Sequence, residues 1–218
     1  MIKIFLTLGI FVALVVNAQV APELMVTWKA NSYAPSAYQG KILPSNGSKI
    51  DVAVELIDRG SLANLTNVEI RWYVDGQFRE SGNGLKNFSF NANQVLGDQE
   101  IRVMIPSYRG VELRKTIIIP LAAPEVIIES PYPSNAVSAL MTTFRALPYF
   151  FNFPNLNQAS FSWAANGISS RGTVADPDLL NLNLEDLPSG ANVNLEVTVS
   201  NLLKPIEFIT KSILLTIQ

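Results

Sequence analysis

The sequence predicts an all-β protein: two antiparallel β-sandwiches in tandem behind an N-terminal secretion leader. Three observations carry that expectation. First, Glu69-Ile70-Arg71-Trp72-Tyr73-Val74-Asp75-Gly76 and Ser160-Phe161-Ser162-Trp163-Ala164-Ala165-Asn166-Gly167 share one pattern, an alternating strand up to a Trp followed by an Asx-Gly pair. Alternation at period two marks a half-buried strand, and Asx-Gly supplies the two positive-φ positions of a tight hairpin turn. Second, Trp72 and Trp163 lie 91 positions apart, about the length of one sandwich domain. Third, no stretch shows a capped amphipathic helix period.

Composition narrows the chemistry. Of 218 residues, 48% are hydrophobic and 16% charged, too apolar for a disordered chain. Neutral polar residues on outward strand positions suit an extracellular β-protein. The formal net charge is −2, and it becomes −3 (15 basic against 18 acidic residues) if Lys3 leaves with the leader. No basic stretch tracks a phosphate backbone, so nucleic acid is not an expected partner. Cysteine and histidine are both absent. That removes disulfides, thiol nucleophiles, Ser-His-Asp triads and His-ligated zinc, and it leaves each Trp to pack on apolar side chains alone.

Residues 1–18 read as a signal peptide: Lys3 is the positive start, Ile4 to Val16 the apolar run, and Val16-Asn17-Ala18 a small-residue cleavage site. The run is shorter than the roughly 20 residues that span a bilayer. It is either cleaved after Ala18 or kept as an uncleaved anchor, the one expected route to a membrane. The first sandwich, 19–121, is expected to hold seven strands: Glu23 to Trp28, Lys49 to Ile57, Val68 to Val74, Gln77 to Glu80, Leu85 to Phe90, Gln99 to Pro106 and Val111 to Ile119. Between the first two runs a long connection rich in turn formers carries Tyr33 and Tyr38. Structured loops of that length are often functional.

A stiff linker, 122–124, leads to the second sandwich, 125–218. There Glu125 to Glu129 matches Glu23 to Trp28, and Val137 to Leu147 takes the place of Lys49 to Ile57. Phe161 to Trp163 matches Ile70 to Trp72. Leu180, Leu182 and Leu184 stand where Phe88 and Phe90 stood, Val193 to Val199 gives the next inward face, and Ile206 to Ile217 closes the sheet.

Trp-Tyr-Val-Asp-Gly after an alternating strand resembles the third-strand Trp and hairpin of bacterial immunoglobulin-like and PKD-like modules. The second copy departs after its Trp but keeps the turn. More loosely, the chain is similar to small uncharacterised secreted proteins of bacteria. The resemblance implies immunoglobulin-like sandwiches, no catalytic residue, no cofactor, and a role as spacer, adhesive or assembly module.

Candidate site residues follow from position. Trp72 and Trp163 are expected in the cores, with Asp75, Gly76, Asn166 and Gly167 as turn residues. Tyr149, Phe151 and Phe153 point one way in an extended segment, and Phe150 and Asn152 the other. Rings on both faces require a second covering surface: the first domain, a neighbouring subunit or a ligand. The flanking Pro148 and Pro154 suit an edge or loop more than a central strand. Tyr33, Tyr38 and Tyr132 are further candidate contacts, since tyrosine is large, stiff and amphipathic. Asp176, Asp178, Glu185 and Asp186 lack the spacing of a calcium loop, so no metal is expected.

The expected function is therefore non-catalytic, through contacts with other envelope or extracellular proteins. The alternative is a carbohydrate-binding module stacking glycan on these aromatics. Coplanar exposed rings favour glycan; a broad apolar patch favours protein.

Overall fold

The computed structural model describes residues 21–93, 97–138, 141–170 and 176–218; the leader, 1–18, lies outside the described residues. The first sandwich comprises β1 (Glu23–Ala30), β2 (Lys49–Asp58), β3 (Ser61–Leu62), β4 (Glu69–Val74), β5 (Gln77–Asn83), β6 (Asn87–Asn91), β7 (Gly97–Tyr108) and β8 (Val111–Leu121). β2 pairs with β1, β3 and β6 in one sheet, and the order β5-β4-β7-β8 forms the other. The alternation of β2 explains why it is central: Ile50, Val52, Val54 and Leu56 all point inward and are buried.

The second sandwich repeats the plan with β9 (Glu125–Glu129), β10 (Ala136–Val137), β11 (Met141–Tyr149), β12 (Ala159–Ala165), β13 (Ile168–Ser170), β14 (Leu179–Asn183), β15 (Asn192–Asn201) and β16 (Phe208–Ile217). One sheet runs β14-β11-β9 and the other β10-β16-β15-β12-β13. All ladders are antiparallel except the short pairing of β10 with β16. Each sandwich has its own buried cluster, one around Trp72 and one around Trp163.

Three local expectations need correction. The single strand expected over Val137 to Leu147 is two strands, because β10 crosses to the β16 edge while β11 stays with β9 and β14. The two-residue β3 makes the first sandwich eight-stranded. Pro148 lies in the central strand β11, opposite Val126. It is tolerated because Ala146 N already donates to Asp178 O at 2.8 Å, just before β14 begins pairing. Two residues on, the Pro148 nitrogen points to the same side where β14 offers no partner, so no ladder bond is lost.

Both tryptophans are buried, Trp72 at 0% and Trp163 at 1% exposure. Trp72 stacks on Phe88, 5.5 Å between ring centroids, and its Nε1 donates to Leu85 O at 2.9 Å. Trp163 Nε1 donates to Pro177 O at 3.3 Å. Leu85 and Pro177 each precede the strand that faces their Trp by two residues, so the repeat extends to the indole hydrogen bond.

The Asx-Gly turns match as well. Asp75 and Gly76 have φ of 50° and 74°, Asn166 and Gly167 48° and 77°, the positive values of a tight hairpin. Asp75 N donates to Glu100 O and Glu100 N to Asp75 Oδ1; Asn166 and Asn194 exchange the same two bonds. Gln99 Nε2 adds a hydrogen bond to Asp75 Oδ2. The aspartate or asparagine thus ties each turn to the strand beside it.

Candidate binding surface at the junction

Where β11 ends, the chain turns sharply. Phe150 has φ +61°, a left-handed value that a bulky residue adopts only when its surroundings enforce it. Here the enforcing contact is a β-bridge from the first sandwich: Tyr33 N donates to Phe151 O at 2.7 Å, and Phe150 N donates to Tyr33 O at 2.6 Å. The turn sends Phe151 and Phe153 into the second core, both 0% exposed, their rings stacked at 5.2 Å. Tyr149 and Phe150 instead face Tyr38, whose ring meets both edge-on at 5.7 and 5.8 Å. Tyr33 packs on Phe153 at 5.1 Å, and burial raises the pKa of its hydroxyl.

Beneath the rings lies a polar lock. Asn152 donates through its backbone N to both Glu207 carboxylate oxygens at 3.2 Å, and through Nδ2 to Glu207 Oε1 at 2.6 Å and Asn46 O at 3.0 Å. Its Oδ1 accepts from Ser48 Oγ at 2.5 Å. Asn201 Nδ2 completes the set, donating to Glu207 Oε2 at 2.5 Å and Asn152 O at 3.1 Å. A buried carboxylate is tolerated only when so satisfied. Gly47 fits the same seam: a Cβ there would sit 2.9 Å from Lys204 Nζ, and its φ is +89°. Asn152→Ala should therefore leave Glu207 and Ser48 short of partners. The expected cost is about 1–3 kcal/mol, read as a lower melting temperature together with a broader spread of inter-sandwich angles in small-angle scattering.

Phe151 and Phe153 are thus buried in the second core, while Tyr149 and Phe150 are half-buried against Tyr38. The first domain is the covering surface that rings on both faces required. Tyr132, in the second sandwich, lies half-buried against its own core. The acidic residues of 176–178 serve the fold: Asp178 pairs with Arg145 at 3.4 Å, and the neighbouring Pro177 carbonyl receives Trp163. Among the described residues no group of three or more His, Cys, Asp or Glu is placed to hold a metal.

The exposed features lie elsewhere. The β15–β16 connection beside the lock carries Leu202, Leu203 and Ile206, exposed at 56, 68 and 82%, and β16 opens with Phe208 at 56%. Ile206 and Phe208 line a groove of about 510 Å³ beside the linker, together with Ala123, Pro124, Ile209 and the polar Asn46, Lys204 and Glu207. The sequence reading placed Ile206 and Phe208 in the closing strand and gave Leu202 and Leu203 no role. The signal was there, since Leu-Leu-Lys-Pro-Ile puts three large apolar residues around a proline that stops a strand. Two further rings were also missed. Trp28 is half-buried with Lys41 Nζ 4.0 Å over it, and Phe78 stands exposed, edge-on to Tyr73, which Arg102 covers at 4.5 Å. The nearly parallel, stacked rings of Trp72, Phe88 and Phe90 belong to the first core.

No family model and no curated protein matches the sequence. Several solved structures are similar over most of this chain. Three N-terminal domains of the outer capsid protein Hoc of bacteriophage RB49 share 12% identity, cover 90% of this chain against 59% of theirs, and give a TM-score of 0.49. The fibronectin(III)-like modules of Clostridium thermocellum CbhA share 13% identity, with coverage of 89% and 94% and a TM-score of 0.30. SGBP-B of Bacteroides ovatus, solved with a mixed-linkage heptasaccharide, shares 12% identity, with coverage of 93% and 48% and a TM-score of 0.26. All three TM-scores lie below 0.5, so the fold rests on the sheets themselves: the described residues form two antiparallel β-sandwiches in tandem.

Proposed function

We propose that the protein is an exported, non-catalytic module that works through protein–protein contacts, holding two sandwiches at a set angle and presenting an apolar surface beside their junction. The observation that carries this reading is the exposed run Leu202, Leu203, Ile206 and Phe208, of which Ile206 and Phe208 line a largely apolar groove. Contiguous apolar surface rimmed by polar residues marks interaction sites more often than chance exposure does. Its position supports the reading further. The loop that bears it also bears Lys204, whose Nζ donates to Asn46 O at 3.5 Å, and runs into Glu207 of the lock, so the surface is pre-organised and loses little entropy on binding. Export rests on the leader, and the non-catalytic reading on the missing histidine and cysteine.

The test uses the protein carrying Leu203→Asp and Ile206→Asp. These side chains are exposed, so stability should stay within about 0.5 kcal/mol of the parent. A photo-crosslinker at position 203 should join the parent protein to a protein of the envelope extract, and the double variant should lose that product in pull-down. If only glycan is recovered, the carbohydrate-binding alternative replaces this one. If the same protein is recovered equally by both baits, the surface lies elsewhere.

A further inference from the structure

The closing strands β8 and β16 hold matching places in the two sandwiches, each with one edge in the ladder and one edge facing out. Hydrogen bonds beyond the main ladders show which backbone groups face out. Ile217 N donates to Ala191 O, on the β15 side, whereas Thr216 N donates to Asn135 O and Gln218 N to Val137 O, on the β10 side. These directions alternate along a strand, so the backbone groups of Phe208, Thr210, Ser212 and Leu214 face the same way as those of Thr216. β10 covers this edge only at Thr216 and Ile217. Among the described residues no other strand pairs with it.

β8 has the same kind of edge, since Ala122 N points away from β7 and donates to Pro44 O. Its outward positions are Glu112, Arg114, Thr116, Ile118 and Pro120. Two charges and a proline without an N–H blunt that edge against pairing. Lys115 and Lys211 correspond, since each lies in the row of its core tryptophan, opposite Val103 and Val197. Phe208, Thr210 and Ser212 therefore stand where Glu112, Arg114 and Thr116 stand. The outward positions of β16 carry neither charge nor proline.

We infer that β16 pairs with β16 of a second copy of this chain, antiparallel about a two-fold axis at Thr210, joining two five-stranded sheets edge to edge. The register follows from the residues. An axis at Lys211 would set two ammonium groups opposite each other, an unfavourable pair. An axis at Ser212 would set Phe208 against Thr216, whose amide already bonds Asn135. The axis at Thr210 meets neither obstacle. Phe208 lies opposite Ser212 of the second copy, and Lys211 opposite half-buried Ile209, which its methylenes can cover. Leu214, 58% exposed, comes beside Ile206 of the second copy, 82% exposed, so apolar surface leaves water at both ends of the ladder. The inference rests on the function proposed above in treating Ile206 and Phe208 as contact surface. Its test needs only purified protein, so the two readings can fail separately.

Sedimentation over a dilution series should show a reversible monomer–dimer equilibrium, because the paired segment is short. The chain has no cysteine, so single cysteines report the register. Under mild oxidation Thr210→Cys should give a disulfide-linked dimer, because Cα atoms facing each other in a hydrogen-bonded pair lie within disulfide reach. Ser212→Cys should not. Thr210→Lys sets like charges at the axis and should abolish the dimer. It loses only an exposed hydroxyl contact with Thr198 at 2.7 Å, so melting of the dilute protein should stay close to the parent. A protein that is monomeric at every concentration overturns the inference, as does a dimer that Thr210→Lys leaves intact. Crosslinking through Ser212→Cys in place of Thr210→Cys overturns it too.

Discussion

Trp72→Ala should destabilise the first sandwich by about 3–5 kcal/mol, the usual cost of emptying a large buried aromatic site. The indole fills the space between the sheets, stacks on Phe88 and satisfies the Leu85 carbonyl. Truncation therefore leaves a cavity and removes the indole donor from the Leu85 carbonyl together. For a domain of about 100 residues that cost lowers its melting by more than about 10 °C. Trp163→Ala should act likewise on the second sandwich. Calorimetry can separate the two, because each variant should shift its own transition and leave the other closer to its parent value. A variant that melted normally but lost binding would place the tryptophan in a site and not in a core.

Phe151→Ala should cost a similar amount, about 3–5 kcal/mol, and should do a second thing the tryptophan variants do not. The Phe151 carbonyl accepts Tyr33 N, and the preceding Phe150 is held at positive φ by the same bridge. Losing the buried ring frees that segment to relax, so the junction loosens along with the core. The expected result is a lower second transition together with hydrogen exchange of Tyr33 and Phe150 amides much faster than in the parent. Loss of the core transition with those amides still protected would show that the bridge stands without the ring.

The parts of this fold that were readable from the sequence are those set by local periodicity. Strands such as β2, β4 and β15 alternate cleanly because one face is buried and the other meets solvent, and the two Asx-Gly turns obey a steric rule that needs no tertiary context. The junction was less readable. Tyr149 to Phe153 announced two apolar faces, but which surface covers the second depends on pairing Tyr33 with Phe151, a contact between residues far apart in the chain. The positive φ of Arg59 and Arg109, 52° and 51°, was invisible for a different reason. Arginine is not a residue that positive φ favours, so composition alone gives no hint. The apolar loop was missed because Leu202 and Leu203 fell between the expected strands, and the closing strand was expected from Ile206, where the structure begins it at Phe208. Local rules thus located the scaffold, whereas the exposed surfaces depend on where strands stop.

The antiparallel ladders also determine how the protein carries a load. In the first sandwich the chain enters at Glu23, opposite Ile57, and leaves at Leu121, opposite Gly97, at the other end. Tension between those points slides β1 along β2 and β8 along β7, so many hydrogen bonds must break at once instead of opening one by one. The second sandwich enters at Glu125 and leaves at Ile217 in the same sense, and the parallel pairing of Val137 with Ile217 clamps the exit. A molecule strung this way resists pulling along its length far better than peeling at an edge, which is the mechanical property a tether between two surfaces requires.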